Sequence, residues 1–285
     1  MPSVTIVGIG RVGGSFAIRF RDSEYSIGNL IGTRDGSPFS DVVELVDVSE
    51  ISEDLILLSL PDNEIAGFAS QIIPKLTNRP VVLHTSGSLS SEILKPLADI
   101  GCPVGSIHPL ISFTDPEVGA KMLHGAFFCV EGDVQAVIAA HDLVRFFGGE
   151  SFEVPTANKV LYHAAAVTAC GHLTALVDVS QSMLNMAGVD ENNASRILIP
   201  LIKSTIENIE KQGTAKALTG TFARADVNGF QRQLASFDGK LSLNETEIFL
   251  DIAQRSIEIA SRNGAEPSEI SRIAELISLA KSELR

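Results

Sequence analysis

The chain has 285 residues, more than a typical single domain, and 45% of them are hydrophobic, enough to fill two cores without disulfides or a structural metal. A formal net charge of −13 with no basic run argues against nucleic acid and anionic membranes as partners. No apolar run approaches the roughly 18 uninterrupted residues of a membrane span, and the amino terminus enters a strand pattern directly, so a cytoplasmic protein is expected.

Residues 4–14, Val-Thr-Ile-Val-Gly-Ile-Gly-Arg-Val-Gly-Gly, lead an apolar strand into Gly8-x-Gly10-x-x-Gly13 and then into a helical period. Such a turn cradles a dinucleotide pyrophosphate: Gly8, Ile9, Gly10, Arg11, Val12 and Gly13 offer bare backbone and the N–H groups at the positive end of a helix. A second strand, 28–32, ends at Thr33 and Arg34, where an NAD site places an acid on the ribose hydroxyls. An arginine there can pair bidentately with a 2′-phosphate and the threonine can add a hydrogen bond, so NADP(H) is expected over NAD(H). Asp35 keeps NAD(H) open as the alternative.

Further strands are predicted at 43–46, 55–60, 81–84, 104–107, 126–130 and 151–154, alternating with amphipathic segments. The expected fold is therefore an α/β Rossmann domain, a mostly parallel sheet with helices on both faces, over residues 1–154. In such sheets ligands lie beyond the carboxyl ends of the strands, which gathers Leu60-Pro61-Asp62, His84 to Ser88 and His108 to Phe113 around the glycine turn. Ser86 either caps the helix that follows or contacts the nicotinamide side of the cofactor. After Pro155 only helical periods remain, at 158–188, 190–212, 226–237, 245–264 and 267–284, giving an all-α domain over 155–285. Ser242-x-x-Glu245 reads as a capping box, Asn263-Gly264 as a helix stop and Pro267 as the first turn of the last helix. Cys102, Cys129 and Cys170 are far apart, with no CxxC and no histidine at ligand spacing, and read as buried thiols in a reducing compartment with no metal site.

Lys159 and His163 are four apart on a helix and share a face. Reduction of a carbonyl or imine needs a proton donor beside the hydride, and Lys159, His163 or, from its strand end, His108 can supply it. Tyr162 is the weaker candidate, projecting about 100° from its neighbour His163.

Together the glycine turn, Leu60-Pro61-Asp62, His84-Thr-Ser-Gly87, Gly105-Ser-Ile-His-Pro-Leu110, Lys159-Val-Leu-Tyr-His-Ala-Ala165 and Leu218-Thr-Gly-x-x-Ala-Arg224-x-Asp226 resemble Rossmann-like oxidoreductases whose helical carboxyl-terminal domain has no assigned function. These look like a branch of the 6-phosphogluconate dehydrogenase-like superfamily, relatives of ketopantoate reductase and pyrroline-5-carboxylate reductase. The resemblance implies a homodimer formed through the helical domain, an active site between domains, and a small substrate, with His84 and Arg224 as substrate-binding candidates. Two departures stand out: Gly171 replaces the usual helix asparagine, and Ala225 replaces the glycine of Arg-Gly-Asp. The leading expectation is an NADP(H)-dependent oxidoreductase acting on a small carbonyl or imine compound, with a carboxylate as one option. The alternative is a catalytically silent NADP(H)-binding sensor.

Overall fold

The computed structural model describes residues 2–32 and 39–284. Thr33 and Arg34, the expected 2′-phosphate residues, lie outside the described residues, as does Asp35. The strands are β1 (Ser3–Val7), β2 (Ser26–Ile31), β3 (Val42–Val43), β4 (Leu55–Leu58), β5 (Val81–His84), β6 (Val104–Pro109), β7 (Phe127–Gly132) and β8 (Glu150–Glu153). In the first part of the chain the helices are α1 (Arg11–Arg21), α2 (Asp62–Ile72), α3 (Lys95–Ala98), α4 (Pro116–Met122) and α5 (Val134–Phe147). They are followed by α6 (Lys159–Met186), α7 (Glu191–Ala217), α8 (Gly220–Ala223), α9 (Val227–Ala235), α10 (Leu243–Arg262) and α11 (Pro267–Glu283).

One eight-stranded sheet runs in the order β3-β2-β1-β4-β5-β6-β7-β8, parallel throughout except where β7 runs antiparallel to β6. Side chains alternate across its faces, so β1 sends Val4 and Ile6 into one core and Val7 into the other. The first core is closed by aromatic side chains of α1 and α5, with Phe16 stacked on Phe147 and Phe20 on Phe146. Ile65, Ala69 and Ile72 of α2, with Leu97 of α3, close the second. Buried on both faces, β4 reads Leu-Ile-Leu-Leu without alternation, as a central parallel strand should. This is the expected α/β Rossmann architecture followed by helices.

By packing, the chain divides into two compact units, Met1–Gly171 and His172–Arg285, the boundary falling inside α6. The second unit has its own core, in which Phe230 of α9, Leu250 and Ile257 of α10 and Ile273 and Ile277 of α11 are buried together. Its caps follow the sequence: Ser242 and Glu245 form a complete capping box, Gly264 stops α10 with a φ of +86°, and Pro267 opens α11. The helix predicted to end at 212 does break there, since Gly213 has φ +75° and ψ 166°, although one more short helical stretch follows to Ala217. Ala225, standing where a glycine is usual, is buried and keeps the left-handed backbone at φ +48°.

One expectation needs correction. Cys170 is exposed, because it sits on an unburied stretch of α6, whereas Cys102 and Cys129 are buried as expected. Residues 156–186 form a helix long and apolar enough, by length and composition only, to cross a membrane. Uncharged polar residues such as Thr168 and Thr174 interrupt its apolar sequence. None of that apolar window is buried within the chain.

Candidate functional site

At the carboxyl end of β1 the turn is packed so closely that its glycines are obligatory. Gly8 has φ +83°, and a Cβ on it would meet the carbonyl oxygen of Ser59 at 2.3 Å. A Cβ on Gly13 would meet the carbonyl oxygen of Gly8 at 2.0 Å, so α1 can lie on β1 only because that side chain is missing. Gly10 is different: a Cβ there would meet nothing within 4 Å, and the space opens at the amino terminus of α1. Among the described residues no side chain caps that terminus. Gly8, Ile9 and Gly10, with Gly32, Ser59, Leu60 and Pro61, line a cavity of about 730 Å³. Glycines required by packing, one open glycine and an uncapped helix end form a cradle suited to a dinucleotide pyrophosphate. Arg11 and Val12 form the first turn of α1.

Beyond β4 and β5, Asp62 begins α2 and accepts a hydrogen bond from Ser88 Oγ at 2.5 Å. Ser86 is buried, and its hydroxyl accepts from the backbone N–H groups of Ser88 (3.2 Å) and Leu89 (3.0 Å). These bonds hold Ser86 within its own turn, ahead of the short helix that starts at Ser91 and has Ser90 at its N-cap.

The second cluster is built from side chains. In the antiparallel register of β6 and β7, Ser106 faces Glu131. The Glu131 carboxylate accepts from Ser106 Oγ (2.7 Å), Ser91 N–H (2.9 Å), Ser91 Oγ (2.9 Å) and Thr156 Oγ1 (3.1 Å). Lys159, at the start of α6 and 1% exposed, donates to Ser106 Oγ at 2.5 Å and stands 4.0 Å from Glu131 Oε1. Burial pulls the Lys159 ammonium below its usual pKa, an effect that Cys129 and Glu131 oppose. Glu131 had no sequence motif to mark it. The one available signal was a carboxylate interrupting the apolar strand Phe-Phe-Cys-Val-Glu-Gly.

One turn along α6, Tyr162 Oη lies 2.6 Å from His108 Nδ1, and His163 stacks edge-on against the same His108 ring with centroids 5.7 Å apart. Tyr162 therefore belongs to the site. It lies three residues from Lys159, and positions three and four apart share a helix face. Desolvation raises the Tyr162 phenol above its normal range and keeps it protonated. The same cause, with the nearby Lys159 charge, lowers His108 to about 4 and leaves it neutral. His84 is fully buried, is likewise lowered to about 4, and accepts the Ser86 N–H at Nδ1. Gly87 permits this crowding, since a Cβ on it would stand 2.4 Å from His163 Nδ1 and 2.7 Å from His108 Nε2. His163 Nδ1 is buried with no hydrogen-bond partner among the described residues.

His108 and His163 line a cavity of about 420 Å³ with residues 109–112 and parts of α6. Lys159 does not line it. The structure thus brings together His84, Ser86, His108, Lys159 and His163, adding Tyr162, Glu131 and Ser106. Arg224 is exposed in the second unit, where it ends α8. Among the described residues no group of three or more His, Cys, Asp or Glu side chains could hold a metal ion.

Comparison with known proteins agrees with this architecture. Residues 2–109 match the model of the Rossmann-like domain, and residues 126–256 match a domain of unknown function, DUF2520. A Rossmann-like match is thus followed along the chain by a DUF2520 match. No curated protein matches it. Among solved structures it is similar to protein TM1727 from Thermotoga maritima, at 24% identity and TM-score 0.70, over 91% of this chain and 98% of that one. A candidate NADP oxidoreductase, BF3122 from Bacteroides fragilis, follows at 16% identity and TM-score 0.69, over 90% and 98%. Pyrroline carboxylate reductase of Plasmodium falciparum, solved with NADP bound, gives 11% identity and TM-score 0.60, over 91% and 98%. At these identities the likeness establishes the fold.

Proposed function

We propose that the chain is an NADP(H)-dependent oxidoreductase acting on a small carbonyl or imine compound. The observation that carries this reading is that one sheet edge bears both a bare-backbone cradle at Gly8–Gly13 and a cavity faced by two imidazoles. NADPH, when bound, supplies a hydride to the carbonyl or imine carbon and leaves oxidised, while the oxygen or nitrogen takes up a proton. His163 and His108 are the groups placed to hold or deliver that proton. His108 is neutral and shares a hydrogen bond with Tyr162 through Nδ1; in the tautomer that carries its hydrogen on Nε2 it polarises the acceptor as a hydrogen-bond donor. Lys159 acts through Ser106 and Glu131, which makes it a positioning residue. Arg34 and Thr33 are proposed to bind the 2′-phosphate, and NADP(H) is preferred over NAD(H) on that basis. Similar structures described as an NADP oxidoreductase or holding NADP support the choice.

The test is a fluorescence titration with NADPH and NADH, then NADPH oxidation against a panel of aldehydes, ketones and cyclic imines. NADPH binding at least about tenfold tighter than NADH, with turnover reduced about a hundredfold in His163→Ala, is the expected result. NADH binding tighter by the same margin overturns the cofactor assignment. The burial of Lys159 away from the cavity favours one second reading, a cofactor-binding sensor, which predicts tight NADPH binding without turnover on any compound.

We further propose a cytoplasmic homodimer in which a second copy covers the exposed apolar residues of α6 and α7. Leu173, Leu176, Ile199, Leu201, Ile206 and Ile209 are each at least a third exposed, and no apolar window of α6 is buried by its own chain. Sedimentation equilibrium should show twice the chain mass, falling to one copy in Leu176→Glu.

A further inference from the structure

The cavity beside His108 and His163 separates two kinds of substrate that the reductase reading leaves open. Its wall after the imidazoles is mostly aliphatic, with Leu110 and Ile111 after β6 and Ala166 and Val167 on α6, and its other polar side chains, Ser112 and Cys170, carry no positive charge. Among the described residues no lysine or arginine lines it. Lys159 of the same helix is turned inward onto Ser106 and Glu131 and is 1% exposed. His108 is uncharged near neutral pH, which leaves His163 as the one other basic side chain among the described lining residues. Placing an ionised carboxylate against the aliphatic part of this wall, away from His163, removes its hydration without replacing it.

We propose that this cavity takes the apolar body of a neutral ketone, aldehyde or imine, and that substrates carrying a carboxylate on that side are excluded. The proposal rests on the reductase reading and narrows its substrate class. Gly171 sets the room available, because a Cβ there would touch only Val167 Cγ1, at 3.8 Å. A side chain at this position would occupy space otherwise open to substrate. Since Gly171 lies within α6, replacing it by a larger helix-forming residue does not threaten the fold.

The experiment measures binding in the presence of NADP⁺, where no reduction can occur. Calorimetry is run with 2-alkanones of four to eight carbons and with 2-oxo acids of matched length, on the wild-type chain and on Gly171→Leu. Ketone affinity should rise about fourfold per methylene, as expected for burying each CH₂. Each ketone should bind at least about tenfold tighter than its matched oxo acid, as a buried unpaired charge requires. Gly171→Leu should flatten the chain-length series while leaving NADP⁺ affinity within about twofold of wild type, since one leucine fills the space of several methylenes. Oxo acids binding as tightly as ketones, or a flat ketone series in the wild type, would overturn the proposal while NADP⁺ binding keeps the reductase reading intact. Absence of NADP⁺ binding would overturn the reductase reading itself, and this proposal with it.

Discussion

The glycine turn after β1 and the imidazole cluster after β5 and β6 lie on the same sheet edge but are built on opposite principles. The turn works by leaving side chains out: Gly13 lets α1 lie on the strand, and Gly10 leaves space in front of a helix end. The cluster works by packing polar side chains in, with Lys159, Ser106, Glu131, Ser91 and Thr156 bonded to one another out of water. A site of the first kind tolerates almost no addition, and one of the second kind almost no removal.

The largest effect expected from that difference is at Glu131. Glu131→Leu strands a buried ammonium and four hydroxyl or amide donors, so stability should fall by about 3–5 kcal/mol in urea unfolding. Because a buried pair replaced as a whole costs much less than a broken one, Glu131→Leu with Lys159→Met should recover most of the loss. If the double variant is less stable than the single, the pair is not the unit that matters.

Acid should expose the next weakness. His84 and His108 titrate near 4 in the folded chain, against about 6.5 in the unfolded one. Above pH 6.5 both are neutral in either state and their contribution is complete. As pH falls towards 4 the unfolded chain takes up protons that the folded chain refuses, and stability drops by on the order of 3 kcal/mol per imidazole. Urea midpoints measured between pH 7 and 4.5 should fall less steeply in His108→Asn than in the wild type, and an unchanged slope would count against a buried neutral imidazole.

The turn supplies the smaller and more selective contrast. Gly13→Ala forces a methyl onto a backbone oxygen and should lose about 1–3 kcal/mol of stability together with cofactor binding. Gly10→Ala meets nothing in the protein, so its unfolding midpoint should stay near wild type while NADPH affinity drops about tenfold, roughly 1.4 kcal/mol. Equal loss of stability in both would erase the distinction between a packing glycine and a ligand-facing one.

What could be read from sequence follows the same division. The turn is local: strand, glycines and helix are consecutive, so Gly8, Gly10 and Gly13 announce themselves, as do the capping box at Ser242 and the stop at Gly264. Partners in the cluster come from β5, β6, β7 and α6, and only the fold aligns them. His108, His163 and Lys159 could be nominated by type and position, but Glu131 could not, because nothing in the chain announces that β7 runs antiparallel with Glu131 opposite Ser106. Tyr162 was underrated by comparing it with His163, its neighbour, when the relevant comparison was with Lys159, three residues earlier. Cys170 was expected inside because thiols usually are, and it lies on an apolar stretch of α6 that the chain leaves exposed.

The alignment of β6 with β7 has a consequence for how this protein can change over time. Strand faces alternate residue by residue, so deleting or inserting one residue inside either strand would turn Glu131 to the opposite side of the sheet from Ser106 and abandon Lys159 in a dry interior. The long connection from Leu110 to Ala126, by contrast, does not dictate that alignment, so a change in its length outside α4, the cavity-lining residues 110–112 and buried Leu123 leaves the pair intact. Variation among descendants of this chain should therefore collect in the connection, while the two strands keep their lengths.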